Sequence, residues 1–111
     1  MTPATKPELL FTTFKFKTGT NLTVRRGIAW ASKLSVGDSI WLKAREGEER
    51  RRAVVTALKV KRFRDIRESE LSIEHDPQCR RWNDLFLTLS KLYDDFDETE
   101  IMSLIYFAPQ E

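Results

Sequence analysis

The segment Ile101–Phe107 constrains this chain most. Its run Ile-Met-Ser-Leu-Ile-Tyr-Phe places apolar side chains at both odd and even positions. Successive strand residues point to opposite faces of a sheet. A strand apolar on both sides belongs inside a sheet that is covered on both sides. With 111 residues the chain supplies one domain. A fold of that size buries roughly two-thirds of its extended surface, enough for a core without disulfides or a structural metal.

The elements around that strand follow from pattern and punctuation. Leu9 to Lys17, rich in Phe and Thr, predicts a strand. Thr18-Gly19-Thr20-Asn21 is a turn signal, and Leu22 to Arg26 alternates as a second strand. Ile28 to Leu34 is a short apolar connector of about one helical turn. Val36-Gly37-Asp38 turns the chain into Ser39–Arg45, with Ile40, Leu42 and Ala44 facing inward and Trp41, Lys43 and Arg45 outward. Glu46 to Glu49 reads as a hairpin loop. Arg50 to Phe63 is the longest strand candidate, with Val54, Leu58 and Val60 on one face.

A helix is predicted over 77–93. Asp76 serves as N-cap and Pro77 stands at the first helical position. Trp82, Leu85, Phe86, Leu89, Leu92 and Tyr93 then recur on one helical face, so this face should be buried. The expected fold is mainly β with a helix (α+β): a small, partly closed β-barrel with one packed C-terminal helix. A two-layer α+β sheet is the alternative. Residues 1–8 read as a flexible arm, 9–107 as the domain and 108–111 as a tail.

Composition excludes several classes. A single cysteine, Cys79, forbids an internal disulfide and a cysteine-cluster metal site, and a lone His75 argues against other metal sites. No cofactor is expected. No apolar run is long enough to span a bilayer. Met1 to Lys17 has no apolar segment after a basic start, so a cytoplasmic location is expected. Residues 1–93 hold all 19 Lys and Arg and 11 of the 17 acids, a net +8; residues 94–111 hold the other six acids and no base, a net −6. A basic body suits a polyanion such as RNA or a nucleotide.

Three groups of residues could carry chemistry. Thr23 and Arg25 lie two apart on a strand and share a face. A hydroxyl beside a guanidinium can hold a phosphate, carboxylate or carbonyl oxygen. Arg26, Lys33 and Trp41 complete the expected ligand-binding set. Lys43, Arg45, Arg50, Arg51, Arg52, Lys59 and Lys61 form a basic stripe for an RNA backbone, where Trp41 could stack on an unpaired base. Glu74 lies in the polar loop before the helix and is the candidate partner of Thr23 if the protein is an enzyme.

Taken together, Gly19, Thr23 and Arg25, then Val36-Gly37-Asp38, Phe63-Arg64-Asp65-Ile66 and Ile105-Tyr106-Phe107, resemble the ASCH domains of the PUA-like superfamily. The resemblance covers about residues 9–107 by order and spacing. It implies a PUA-like β-barrel and a module that binds RNA or a nucleotide beside Thr23 and Arg25. Some members of that family are amidohydrolases acting on acetylcytidine, which implies Thr23 and Glu74 as catalytic residues here. The family's catalytic lysine is absent: Thr20 and Asn21 stand in its place, and only Lys17 or Lys33 could substitute. Catalysis is therefore left open. A third reading is a non-catalytic protein-interaction module whose acidic end, Asp94–Glu100, meets a basic partner.

Overall fold

A computed structural model describes residues 6–110. Five strands form one mixed sheet: β1 (Glu8–Phe11), β2 (Asn21–Arg26), β3 (Ser39–Ala44), β4 (Arg50–Arg62) and β5 (Ile101–Pro109). Their order across the sheet is β1-β3-β4-β5-β2. β1 runs parallel to β3, and the other pairings are antiparallel. Helices α1 (Ala29–Lys33), α2 (Glu68–Leu71) and α3 (Trp82–Leu92) and two 3-10 turns, Phe63–Asp65 and Pro77–Cys79, fill the connections. Among the described residues no helix is long and apolar enough to cross a membrane.

β5 lies inside the sheet and separates two cores. Met102, Leu104 and Tyr106 pack on one side with Leu22, Val24, Phe63, Leu85 and Leu89. Ile105 and Phe107 pack on the other with Leu9, Phe11, Ile40, Leu42 and Val55. The α+β class holds; the strands form an open sheet, β1-β3-β4-β5-β2, rather than a closed barrel. Leu22 N–H donates to the Ile73 carbonyl at 2.8 Å, and His75 N–H donates to the Leu22 carbonyl at 2.9 Å. Residues 73–75 thus occupy the free edge of β2 at Leu22.

Three boundaries differ from the pattern. β1 stops at Phe11 rather than Lys17, where its partner among the described residues, β3, ends at Ala44. Phe14 and Phe16 instead fold onto the core. Glu8 lies in β1 and the Pro7 carbonyl accepts from Trp41 N–H, so the arm expected over 1–8 is extended strand at its end; residues 1–5 lie outside the described residues. In β4 the register shifts between Val55 and Ala57. That bulge sets Val55, Leu58 and Val60 on one face, opposite Phe107, Ile105 and Ser103; Ala53 and Val55 are buried there, while Val60, expected inside, is 50% exposed.

The helix predicted over 77–93 is also split. Asp76 caps only the 3-10 turn, accepting from Gln78 N–H. Arg81 is extended (φ −115°, ψ 142°), and α3 starts at Trp82, whose N–H donates to the Glu68 carboxylate at 3.0 Å. Leu85 and Leu89 are buried; Trp82 and Phe86 are half-buried against the core, and Leu92 is exposed. The Val36-Gly37-Asp38 turn forms as expected. Gly37 takes φ +94°, which favours glycine, and Asp38 Oδ2 accepts from Ser35 N–H.

Glu70 ties α2 to β4. It accepts from Lys61 Nζ at 2.6 Å, from Lys59 Nζ at 3.4 Å and from Arg67 N–H at 3.0 Å. Burial pushes its carboxyl up, but these donors outweigh burial and hold it at about 2, below the usual 4.5. A depressed carboxyl stabilises the fold above its unfolded pKa and loses that contribution as pH falls. The melting-temperature gap between the native protein and Glu70→Gln should therefore be full at neutral pH. It should shrink as pH drops from 4.5 towards about 2. A constant gap across that range would show that the carboxylate charge contributes nothing.

Candidate functional site

The open seam between β1 and β2 forms a cavity of about 350 Å³. Thr23, Arg25 and Glu74 all line it, and so do Thr12, Thr13, Arg45, His75 and Asp76. Its apolar wall comes from Phe11, Leu85, Leu89 and Tyr93. Strand alternation puts Thr23 and Arg25 on the same side of β2. The pairing of residues 73–75 with β2 brings Glu74 beside them.

Arg25 spans the seam. Its Nε donates to Thr23 Oγ1 at 3.1 Å, and its Nη2 donates to the Leu10 carbonyl of β1 at 2.8 Å. The guanidinium lies 4.7 Å from the Phe11 ring centroid. Burial pushes Arg25 down to about 10, with the Glu74 carboxylate opposing, so it stays charged at neutral pH. Arg25 Nη1 makes no hydrogen bond among the described residues.

Glu74 is 2% exposed. Its Oε1 accepts from Asp76 N–H at 3.0 Å and lies 2.6 Å from His75 Nδ1. Oε2 makes no hydrogen bond among the described residues. The His75 ring is held edge-on by Phe11 at 4.8 Å and stacked by Phe16 at 5.7 Å. This aromatic grip was not legible in the sequence, because Phe11 and Phe16 lie about sixty residues from His75; adjacency to Glu74 was the only signal. Cys79 also lines the cavity. Burial, then the Glu74 and Asp76 carboxylates, push its thiol up to about 12, so it is protonated at neutral pH.

The other predicted site residues lie elsewhere. Arg26 leaves the cavity and pairs with Glu100 at 2.7 Å and Asp95 at 3.1 Å, which pushes its pKa up. Lys33 Nζ lies over the Trp30 ring at 4.9 Å, and Lys17 Nζ donates to the Ser72 carbonyl. Among the described residues no lysine lines the cavity. Trp41 is on β3, outside the cavity, with the Arg50 guanidinium 4.2 Å from its ring centroid. The basic stripe is divided. Lys59 and Lys61 are taken by Glu70. Arg51 pairs across the sheet with buried Leu42, on the face opposite Arg50 and Arg52. Among the described residues no group of three or more His, Cys, Asp or Glu could hold a metal ion.

No family model and no curated protein matches the chain. Its backbone is similar to the high-resolution crystal structure of an ASCH domain from Lactobacillus crispatus, with a TM-score of 0.54 and 13% sequence identity. The match covers 80% of this chain and 63% of that one, so this chain spans less than two-thirds of that protein's length. At such low identity the likeness is one of backbone architecture. With its five-stranded sheet, its seam and its helix in this order, the chain has an ASCH-like fold.

Proposed function

We propose that the chain is a small module that binds RNA or a nucleotide and takes one nucleoside into the cavity between β1 and β2. The observation that carries this reading is the convergence of Thr23, Arg25 and Glu74 on one cavity with hydrogen-bonding capacity left over. Arg25 Nη1 and the Thr23 hydroxyl can donate, and Glu74 Oε2 can accept. A nucleobase edge offers both kinds of partner. A phosphate in the same place would meet the Glu74 and Asp76 carboxylates, so the base belongs inside and the phosphate outside, near Arg45. A volume of about 350 Å³ lies within the usual range of small-ligand sites.

Amidohydrolase chemistry is the second reading. It requires a group that activates the nucleophile, and neither Lys17 nor Lys33 is at the cavity. Binding is therefore favoured. Calorimetric titration with nucleosides and nucleoside monophosphates tests it. Thr23→Val and Glu74→Gln should each weaken binding by about tenfold, the usual cost of one lost polar contact. Unchanged affinities in both variants would remove the cavity from the binding site. Hydrolysis of acetylcytidine that Thr23→Ala abolishes would establish the enzyme instead.

A further inference from the structure

The sheet face shared by β1, β3 and β4 is left uncovered by α3. Register defines its members. Trp41 is opposite Glu8 and Arg52, and Lys43 is opposite Leu10 and Arg50. Residues directly opposite one another share a face. Arg45 continues the alternation, held beside β1 by its N–H to the Phe11 carbonyl at 2.9 Å. Trp41 and Lys43 are half-buried; Arg45, Arg50 and Arg52 are exposed.

On this face the Lys6 ammonium, over the Trp41 ring, joins four cations, Lys43, Arg45, Arg50 and Arg52, against one acid, Glu8. None of the four forms an ion pair among the described residues, although Glu46, Glu48 and Glu49 stand in the adjoining hairpin. The charge is left for a partner. The face is also continuous with the cavity, since Leu10 and Arg45 line both.

From this continuity we infer that the β1-β3-β4 face holds the backbone of a single-stranded polynucleotide and leads one of its nucleosides into the cavity. The inference rests on the nucleoside reading of the cavity and adds the partner's class: a polymer, unpaired where it binds. Phosphates contact Lys43, Arg45, Arg50 and Arg52. The Trp41 ring lies among them, with the Arg50 guanidinium 4.2 Å and the Lys6 ammonium 5.7 Å from its centroid. A paired base could not enter the cavity without leaving its duplex, so single strands bind best. The hairpin tip with Glu46, Glu48 and Glu49 bounds the path by repulsion.

The test is fluorescence anisotropy of a labelled uridine oligonucleotide, its deoxy counterpart and a duplex, over a salt series, with the full chain. Each single-strand phosphate contact adds about 0.7 to the salt slope. The double variant Arg50→Gln/Arg52→Gln should therefore lose about 1.4 from the slope, with at least a tenfold loss of affinity at low salt. Arg51→Gln, on the other face, should change neither. Mononucleotide affinity should be unchanged in the double variant. A slope unaltered by the double variant, equal damage from Arg51→Gln, or a duplex bound as tightly as the single strand would each overturn the inference. Comparing the ribose and deoxyribose strands identifies which polymer is preferred. Mononucleotide binding without oligonucleotide binding sinks this face and leaves the cavity reading intact. Oligonucleotide binding that follows Arg50 and Arg52 without any mononucleotide binding does the reverse.

Discussion

Phe63→Ala is expected to destabilise the fold by about 3–5 kcal/mol, the usual cost of emptying a buried phenylalanine site. Phe63 is fully buried. Its ring lies 4.8 Å from Trp82, 5.5 Å from Phe86 and 5.4 Å from Phe96, between centroids. Its N–H donates to the Glu100 carbonyl at 2.8 Å and its carbonyl accepts from Trp82 Nε1 at 3.4 Å. The aromatic cluster therefore joins the end of β4, α3 and the approach to β5 through one side chain. Domains of this size are stable by only about 5–15 kcal/mol, so much of the protein should unfold at moderate urea. Phe86→Ala should cost less, because Phe86 is half-buried and stacks at the edge of the cluster. Urea denaturation of both variants checks this. A loss below about 1 kcal/mol for Phe63→Ala would show that the site collapses without penalty.

Arg25→Met is expected to weaken nucleotide binding by 100-fold or more, which is about 3 kcal/mol. The guanidinium is a charged donor that bridges the seam, and hydrogen bonds to charged groups contribute about 1.5–3 kcal/mol each. The substitution also leaves the Leu10 carbonyl and the Thr23 hydroxyl without their partner. A stability loss of about 1–3 kcal/mol should accompany the loss of binding. Arg25→Lys should rescue little. One ammonium on a flexible stem cannot reach Thr23 and Leu10 in two directions while presenting a third donor to the cavity. Calorimetry for binding and thermal melts for stability separate the two effects. Affinity kept within about threefold in Arg25→Met would show that the ligand does not use this group.

The cationic residues show how far charge counting reaches. All seven residues of the expected stripe are basic in the sequence, but their environments differ. Glu70 neutralises Lys59 and Lys61 from α2, and Arg51 faces away from its neighbours. Arg26, adjacent to Arg25, is drawn by Asp95 and Glu100 to the far end of the strand's other side. Strand alternation separates Arg51 from Arg50 and Arg52 and was readable in principle. The carboxylate partners were not, because they lie about ten to seventy residues away in the chain.

Local information in the sequence determined the five strands and their succession along the chain, the apolar face of α3 at Leu85 and Leu89, the turn at Gly37 and the interior place of β5. Those features depend on alternation, on helical periodicity and on the conformational freedom of glycine, all of which act over a few residues. Tertiary structure alone decided that the sheet stays open. Residues 73–75 pair with the edge of β2 at Leu22, and no local preference records that long-range contact. The same contact sets Glu74 beside Thr23 and Arg25 and encloses His75 between Phe11 and Phe16. The cavity is thus a product of long-range pairing: its residues are legible one by one, but their convergence depends on which strand edge the loop before the 3-10 turn occupies.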